Sequence, residues 1–308
     1  MDAIRTENPQ AAKKFWSPRR KEALIGWLFL LPEICGMLLL NVFALLFSLY
    51  LSFSEWDLLS GISGIKFIGI DNYVKMFQDE AIGKALTNNL LYTVLTVPLS
   101  IAIALVMAVL IHSKVYGKDY FKVVFFLPYI SSIIAIAAVW SVLLHPSLGP
   151  INQFLLELGI QNPPKWLVDP KTSLLSIAII STWAGIGYTI IIYMAGLANI
   201  SNDLYEAADI DGASQIQKFF KITVPLLRPT TFFLFVTMLI GSFKVFDIIA
   251  FLTEGGPHNS STVVVFRIYE EGFRNYNMGY ASAISWLLFA IIGILTAATW
   301  KMRKEDAA

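Results

Sequence analysis

Residues 90–112 read LLYTVLTVPLSIAIALVMAVLIH, and this stretch decides the fold class. It carries no Asp, Glu, Lys or Arg. At about 1.5 Å of rise per residue it makes a helix long enough for the roughly 30 Å hydrocarbon layer of a bilayer. Pro98 lies inside it. A proline in a span is tolerated where neighbouring helices or side chains satisfy the freed carbonyl, so the stretch belongs to a packed bundle. Working outward, five more stretches have the same character: 24–53, 121–144, 173–197, 230–252 and 281–300. The first is overlong and holds Pro32, which predicts an early kink or a tilt. The stretch 121–144 holds Pro128. The expectation is an all-α polytopic membrane protein with six transmembrane helices.

Composition agrees. Of 308 residues, 56% are hydrophobic and 15% charged, against about 45–50% and about 25% in soluble globular chains. The net charge of +1 gives no basic field for nucleic acid. The lone Cys35 allows no internal disulfide. His112, His145 and His258 are scattered and show no metal-ligand spacing. There is no G-x-x-x-x-G-K-[ST] loop for a nucleotide. Any energy source other than an ion gradient must therefore come from a partner.

Residues 1–23 read as a polar tail, with Lys13, Lys14, Arg19, Arg20 and Lys21. The apolar stretch after it is too long for a signal-peptide core and reads as a retained first span. With the amino terminus inside, the inner segments hold 15 Lys and Arg and the outer segments 7. The positive-inside rule then places both termini in the cytoplasm. The organisation is a tail (1–23), a membrane domain (24–300) and a second tail (301–308).

The inner segment 201–229, SNDLYEAADIDGASQIQKFFKITVPLLRP, is unlike the other loops. Ser201 can cap a helix, and Asp203 adds negative charge in its first turn. Leu204, Ala207 and Ala208 form one apolar face. Gly212 breaks the helix and lets the chain turn. A second short helix with Ile216, Phe219, Phe220 and Ile222 follows, and Pro225 and Pro229 mark the entry to span five. One reading is an interfacial helix on lipid headgroups, which Phe219 and Phe220 would suit. The acidic cluster Glu206, Asp209 and Asp211 speaks against it near an anionic leaflet. The other reading is a docking knob: small residues permit close approach, and the carboxylates meet basic side chains of a cytoplasmic partner.

Ionisable residues at membrane depth are costly and mark function or an internal pair. Glu33, Lys244 and Asp247 are the candidates. Lys244 and Asp247, at i,i+3, are expected to share a helical face, where they either neutralise each other or serve function. Trp183, Gly185, Gly187 and Tyr188 form an aromatic, kinkable patch in span four. Such a patch suits a sugar, whose C–H faces stack on flat rings, but it also suits tight helix packing.

The run Glu206-Ala-Ala-Asp-Ile-Asp-Gly212-Ala, with Ile222 and Pro225-Leu-Leu behind it, resembles the EAA loop of binding-protein-dependent ABC importers. Gly69, Asn72 and Tyr73 resemble that family's GxxNY segment. Phe246-Asp247, Thr253-Glu-Gly-Gly-Pro257, Ser261-Thr262 and Gly279-Tyr-Ala-Ser-Ala283 resemble its sugar-importer branch, in the half related to the larger maltose permease subunit. The likeness covers residues 24–300. Glu33 departs from it, standing where the family usually has an apolar residue.

The resemblance implies a type I ABC importer permease fold with no catalytic residues and no cofactor of its own. ATP and Mg would sit on a partner ATPase. Glu206, Ala207, Ala208, Asp209 and Gly212 would couple to that ATPase. Gly185, Tyr188, Met238 and Ser242 match sugar-contacting positions. The implied partners are a second, homologous permease, a cytoplasmic ATP-binding subunit dimer, an extracytoplasmic solute-binding protein, a carbohydrate substrate and membrane lipid, with no nucleic acid. An importer for another polyol or phosphorylated solute is the alternative within this class. An ion-coupled secondary transporter would need intramembrane carboxylates, which are few here, and would leave the knob without a purpose.

Overall fold

The computed structural model describes residues 18–112 and 117–305. The amino-terminal tail with Lys13 and Lys14, and the last three residues, lie outside them. Two units are distinguished, 1–50 and 51–308. The described part of the first is one helical run. It starts at Pro18, before the expected boundary, runs through Pro32 and widens into a π-helical turn at Leu38–Val42. The run Lys21–Ser52 is long and apolar enough to cross a membrane. Glu33 is exposed on it.

In the second unit, Glu80–His112, Ser173–Ala198 and Met278–Lys301 are unbroken spans. Pro98 leaves the first of these continuous. Two further spans are bent. The expected third span is two helices, Lys118–Ile130 and Ile133–Leu143, meeting at 94°. Pro128 lies in the last turn of the first piece, and Ser131 and Ser132 form the corner in extended backbone. The expected fifth span ends early, at Phe243. Residues 244–246 break it, and Asp247–Leu252 is a separate helix. Upstream, Gln215–Leu226 joins Arg228–Phe243 at 64°. Counting each bent pair as one crossing gives the six that the sequence predicts. The β-structure among the described residues is a two-stranded ribbon, Ser54–Glu55 with Lys66–Phe67, and an isolated bridge between Asp57 and Asn277.

The core has three clusters. In one, Ala104, Ala108 and Ile111 pack with Tyr193, Leu197, Leu227 and Leu234. In a second, Tyr92 and Ile136 meet Ile177, Ile180, Ile249 and Val263. In the third, Met76, Ile82 and Ala85 pack with Phe243, Val264, Tyr280 and Ile284. Small residues set the helix approach, as usual inside membranes. A Cβ on Gly187 would lie 2.0 Å from the Phe125 carbonyl oxygen, so Gly187 belongs to a backbone contact between spans three and four.

The GxxNY segment now has a physical account. Gly69 has φ +64, a left-handed value that other residues adopt at a cost. The turn delivers Asn72, buried, whose Nδ2 donates to the carbonyls of Ser52 at 3.1 Å and Ser54 at 2.9 Å. The Tyr73 hydroxyl donates to Ser52 Oγ at 2.8 Å.

Candidate functional site

Two places in the second unit have functional character: a cavity between the broken spans, and the hairpin that follows span four.

The cavity exists because two helices break opposite the same stretch of span four. Pro128, Tyr129, Ser131 and Ile133 border it from the corner of span three. Lys244, Val245, Phe246 and Asp247 border it from the break in span five. Ser181, Ala184 and Gly185 form the wall from span four, and Tyr92 contributes from span two. Its volume is about 330 Å³. Gly185 has no atom within 4 Å of where a Cβ would stand. Its missing side chain therefore leaves open space, in contrast to the packed Gly187. Tyr129 stacks on Tyr188, ring centroids 5.0 Å apart and planes 23° apart.

Of the four expected sugar positions, Gly185 lines the cavity and Tyr188 backs it through Tyr129. Met238 is turned to span four, where Thr189 Oγ1 donates to its sulfur at 3.8 Å. Ser242 is buried and committed to protein: its hydroxyl donates to the Leu239 carbonyl and shares a 2.8 Å hydrogen bond with Thr93 Oγ1. Lys244 and Asp247 do not pair, and contrary to expectation they share no helical face. The helix ends between them, because Lys244 already follows the last turn of Arg228–Phe243 and Phe246 leaves helical backbone at φ −143. The i,i+3 geometry never forms, and both side chains are exposed.

The hairpin is built as the sequence predicts, with added fastenings. Ser201 caps Asn202–Ile210 by accepting from the Asp203 N–H at 3.3 Å. Gly212 turns the chain at φ +74 with no atom near its Cβ direction. Ser214 and Gln217 then form a reciprocal capping box on Gln215–Lys218. A π-helical turn, Phe219–Thr223, follows. Tyr205 and Thr223 share a hydrogen bond of 2.9 Å across the two arms.

Asp209 has a partner within the hairpin. Its carboxylate binds Lys218 Nζ at 2.6 Å, and the Lys218 side chain is only 7% exposed. It fastens the two arms to each other, with part of its surface still in solvent. Glu206 and Ala207 are exposed and Ala208 is half-buried. Apolar side chains stand out beside them: Ile210 at 87%, Ile216 at 71% and Phe220 at 63% exposure.

At the opposite end lie residues that sequence reasoning passed over. Asn89 Nδ2 donates to the Ser242 carbonyl and its Oδ1 accepts from the Val264 N–H. One amide thus caps the end of one helix and the start of another. Asn88 holds the carbonyls of Asn259 and Thr262. Arg267 binds Glu271 at 2.8 Å and Glu270 at 2.5 Å and lies 3.8 Å from Asp79, which accepts from the Tyr280 hydroxyl. Two adjacent asparagines inside an apolar run were the available signal for the first cluster.

A multi-span bundle with broken helices around a mid-span cavity, carrying a two-helix hairpin at one end, is the architecture of a permease subunit. Residues 86–300 match the family described as "Binding-protein-dependent transport system inner membrane component", and the chain belongs to that family. It is 36% identical to the probable ABC transporter permease protein YurN of Bacillus subtilis, covering 92% of this chain and 98% of that one. It is 34% identical to the lactose transport system permease protein LacF of Rhizobium radiobacter, covering 88% and 91%. Among solved structures it resembles a chain of the bacterial alginate ABC transporter in complex with an alginate pentasaccharide-bound periplasmic protein. There the TM-score is 0.82, at 25% identity over 96% of this chain and 98% of that one.

Proposed function

We propose that this chain is the transmembrane permease subunit of an ATP-driven importer, taking up a carbohydrate that an extracytoplasmic binding protein delivers. The observation that carries the substrate class is the extent of likeness to sugar-handling proteins, a lactose permease over 88% of the chain and an alginate transporter over 96%. The cavity is consistent with it, since stacked tyrosines beside polar side chains suit a polyhydroxylated ring.

The hairpin is the coupling element in this reading. Glu206, Ala207 and Ala208 face an ATP-binding subunit, Gly212 permits the turn, and Asp209 keeps the two arms together. ATP and Mg sit on that partner, so the chain itself performs no covalent chemistry. A second, homologous permease completes the pathway. The 15-to-7 cationic bias supports a cytoplasmic position for both termini.

The test is transport in proteoliposomes. Uptake should require the partner permease, the ATPase with internal ATP, and the binding protein. Uptake by this chain alone under a proton or sodium gradient would overturn the reading in favour of a secondary carrier.

A further inference from the structure

We infer that Lys244 and Asp247 are specificity-determining contacts for the transported solute, and that together they select an uncharged sugar over an acidic one. This rests on the carbohydrate reading above and narrows it.

The argument begins with depth. Ser181 and Gly185 lie 8 and 12 residues into the helix Ser173–Ala198, about 12 and 18 Å from its start. The cavity they face is therefore near the middle of that span. Lys244 and Asp247 border the same cavity, are exposed, and form no ion pair with each other or with any other described residue. An unpaired charge near mid-membrane is expensive and points to a ligand or a water-filled path. Two largely buried cations at other sites are answered by carboxylates: Lys218 by Asp209, and Arg267 by Glu270 and Glu271. Lys244 and Asp247, by contrast, line one cavity without meeting.

Their chemistry then sets the ligand class. The ammonium offers donors to sugar oxygens, and the carboxylate accepts from hydroxyls, so both groups serve one polyhydroxylated ring. Tyr129, backed by Tyr188, supplies a face for the C–H side of that ring. The pair sums to zero charge. A uronate, sulfonate or phosphate could use Lys244 but would face the Asp247 carboxylate across a small cavity, and like-charge juxtaposition is strongly disfavoured. A neutral sugar uses both and leaves neither unpaired.

The experiment measures ATP-dependent uptake by the assembled importer in proteoliposomes. Lactose, raffinose and maltotriose are the neutral probes; glycerol 3-phosphate and digalacturonate are the acidic ones. The wild type should carry one or more neutral probes and exclude the acidic ones. Lys244→Met and Asp247→Asn should each raise the apparent KM for the neutral solute about tenfold or more, the effect of losing a hydrogen bond to a charged group. Subunit stoichiometry should stay unchanged. Asp247→Asn should also admit the acidic probes better than the wild type does. Where either variant fails to assemble, Lys244→Arg and Asp247→Glu replace them; these keep the charge but move it, and the same KM rise is expected. A wild type that carries only acidic probes, or an unchanged KM in assembled variants, would overturn the inference and leave the importer reading standing. Uptake of no probe at all would sink the carbohydrate reading along with it.

Discussion

At the end of the bundle bearing the Asn88–Asn89 pair, several polar groups are tied to one another within the chain. Asn89 caps two helix ends, Asn88 holds two loop carbonyls, and Arg267 gathers Glu270 and Glu271. At the hairpin end the arms are fastened to each other by Asp209–Lys218 and Tyr205–Thr223. Their outer faces, however, leave Ile210, Ile216 and Phe220 exposed beside an exposed Glu206. One end is fastened by long-range contacts within the chain, and the other is shaped in advance but leaves apolar side chains uncovered. Substitutions at the first should therefore act on stability, and at the second on assembly.

The largest effect is expected from Asn89→Leu. Both groups it releases are helix-end groups with no intrahelical partner: the Ser242 carbonyl in a last turn and the Val264 N–H in a first turn. Each buried orphan costs about 1–3 kcal/mol, so the loss should be about 2–6 kcal/mol. Thermal unfolding of the detergent-solubilised complex should shift down by several degrees, while the folded fraction still binds ATPase at the normal ratio. A shift in binding ratio without a shift in midpoint would erase the contrast between the two ends.

Gly212→Val should come next and act differently. There is room for the side chain, so the cost is the backbone conformation at φ +74, about 1–3 kcal/mol. The strain falls on a solvent-facing turn, where it can be relieved by local rearrangement of the hairpin. Limited proteolysis should then cut between residues 201 and 227 while the bundle resists, and ATPase association should fall. An unaltered cleavage pattern together with normal association would show that the turn carries no such constraint.

How far the sequence reached follows from what each feature depends on. The spans were legible because their signal is local: about 20 apolar residues in a row. The hairpin was legible too, through Ser201, Gly212 and the two prolines, since caps and turns also act over a few residues. The breaks were not. Pro128 and Pro98 look alike in sequence, yet one ends a helix at a 94° corner and the other sits in a continuous span; tertiary packing decides between them. The same limit explains Lys244 and Asp247. Their spacing implied a shared face only on the assumption of an unbroken helix. Ser242 shows a second limit: its polarity in an apolar span was visible, but Thr93, 149 residues away, was not visible as its partner. For Gly185 and Gly187 the residue type was identical, and only the neighbouring span separates the open position from the packed one.

The smallest expected effect is the most discriminating. Glu206 is exposed on Asn202–Ile210 and holds no partner among the described residues. Replacing it should change the stability of this chain by less than about 0.5 kcal/mol, the usual range for a surface site. If the hairpin docks on an ATPase through a basic contact, Glu206→Gln removes an attraction, whereas Glu206→Lys replaces it with repulsion. The expected order of ATPase association is wild type, then Gln, then Lys, with the Lys variant several-fold weaker than the Gln variant. Raising the salt concentration should narrow the gap, because exposed charges are screened within about 10 Å at 0.1 M. The measurement is subunit stoichiometry and coupled uptake of the purified complex at two ionic strengths, beside its unfolding midpoint. Equal association for Gln and Lys would place Glu206 outside the interface and leave Ile210, Ile216 and Phe220 as the docking surface. A lowered midpoint would instead mean that the hairpin, like the opposite end, is held together from within.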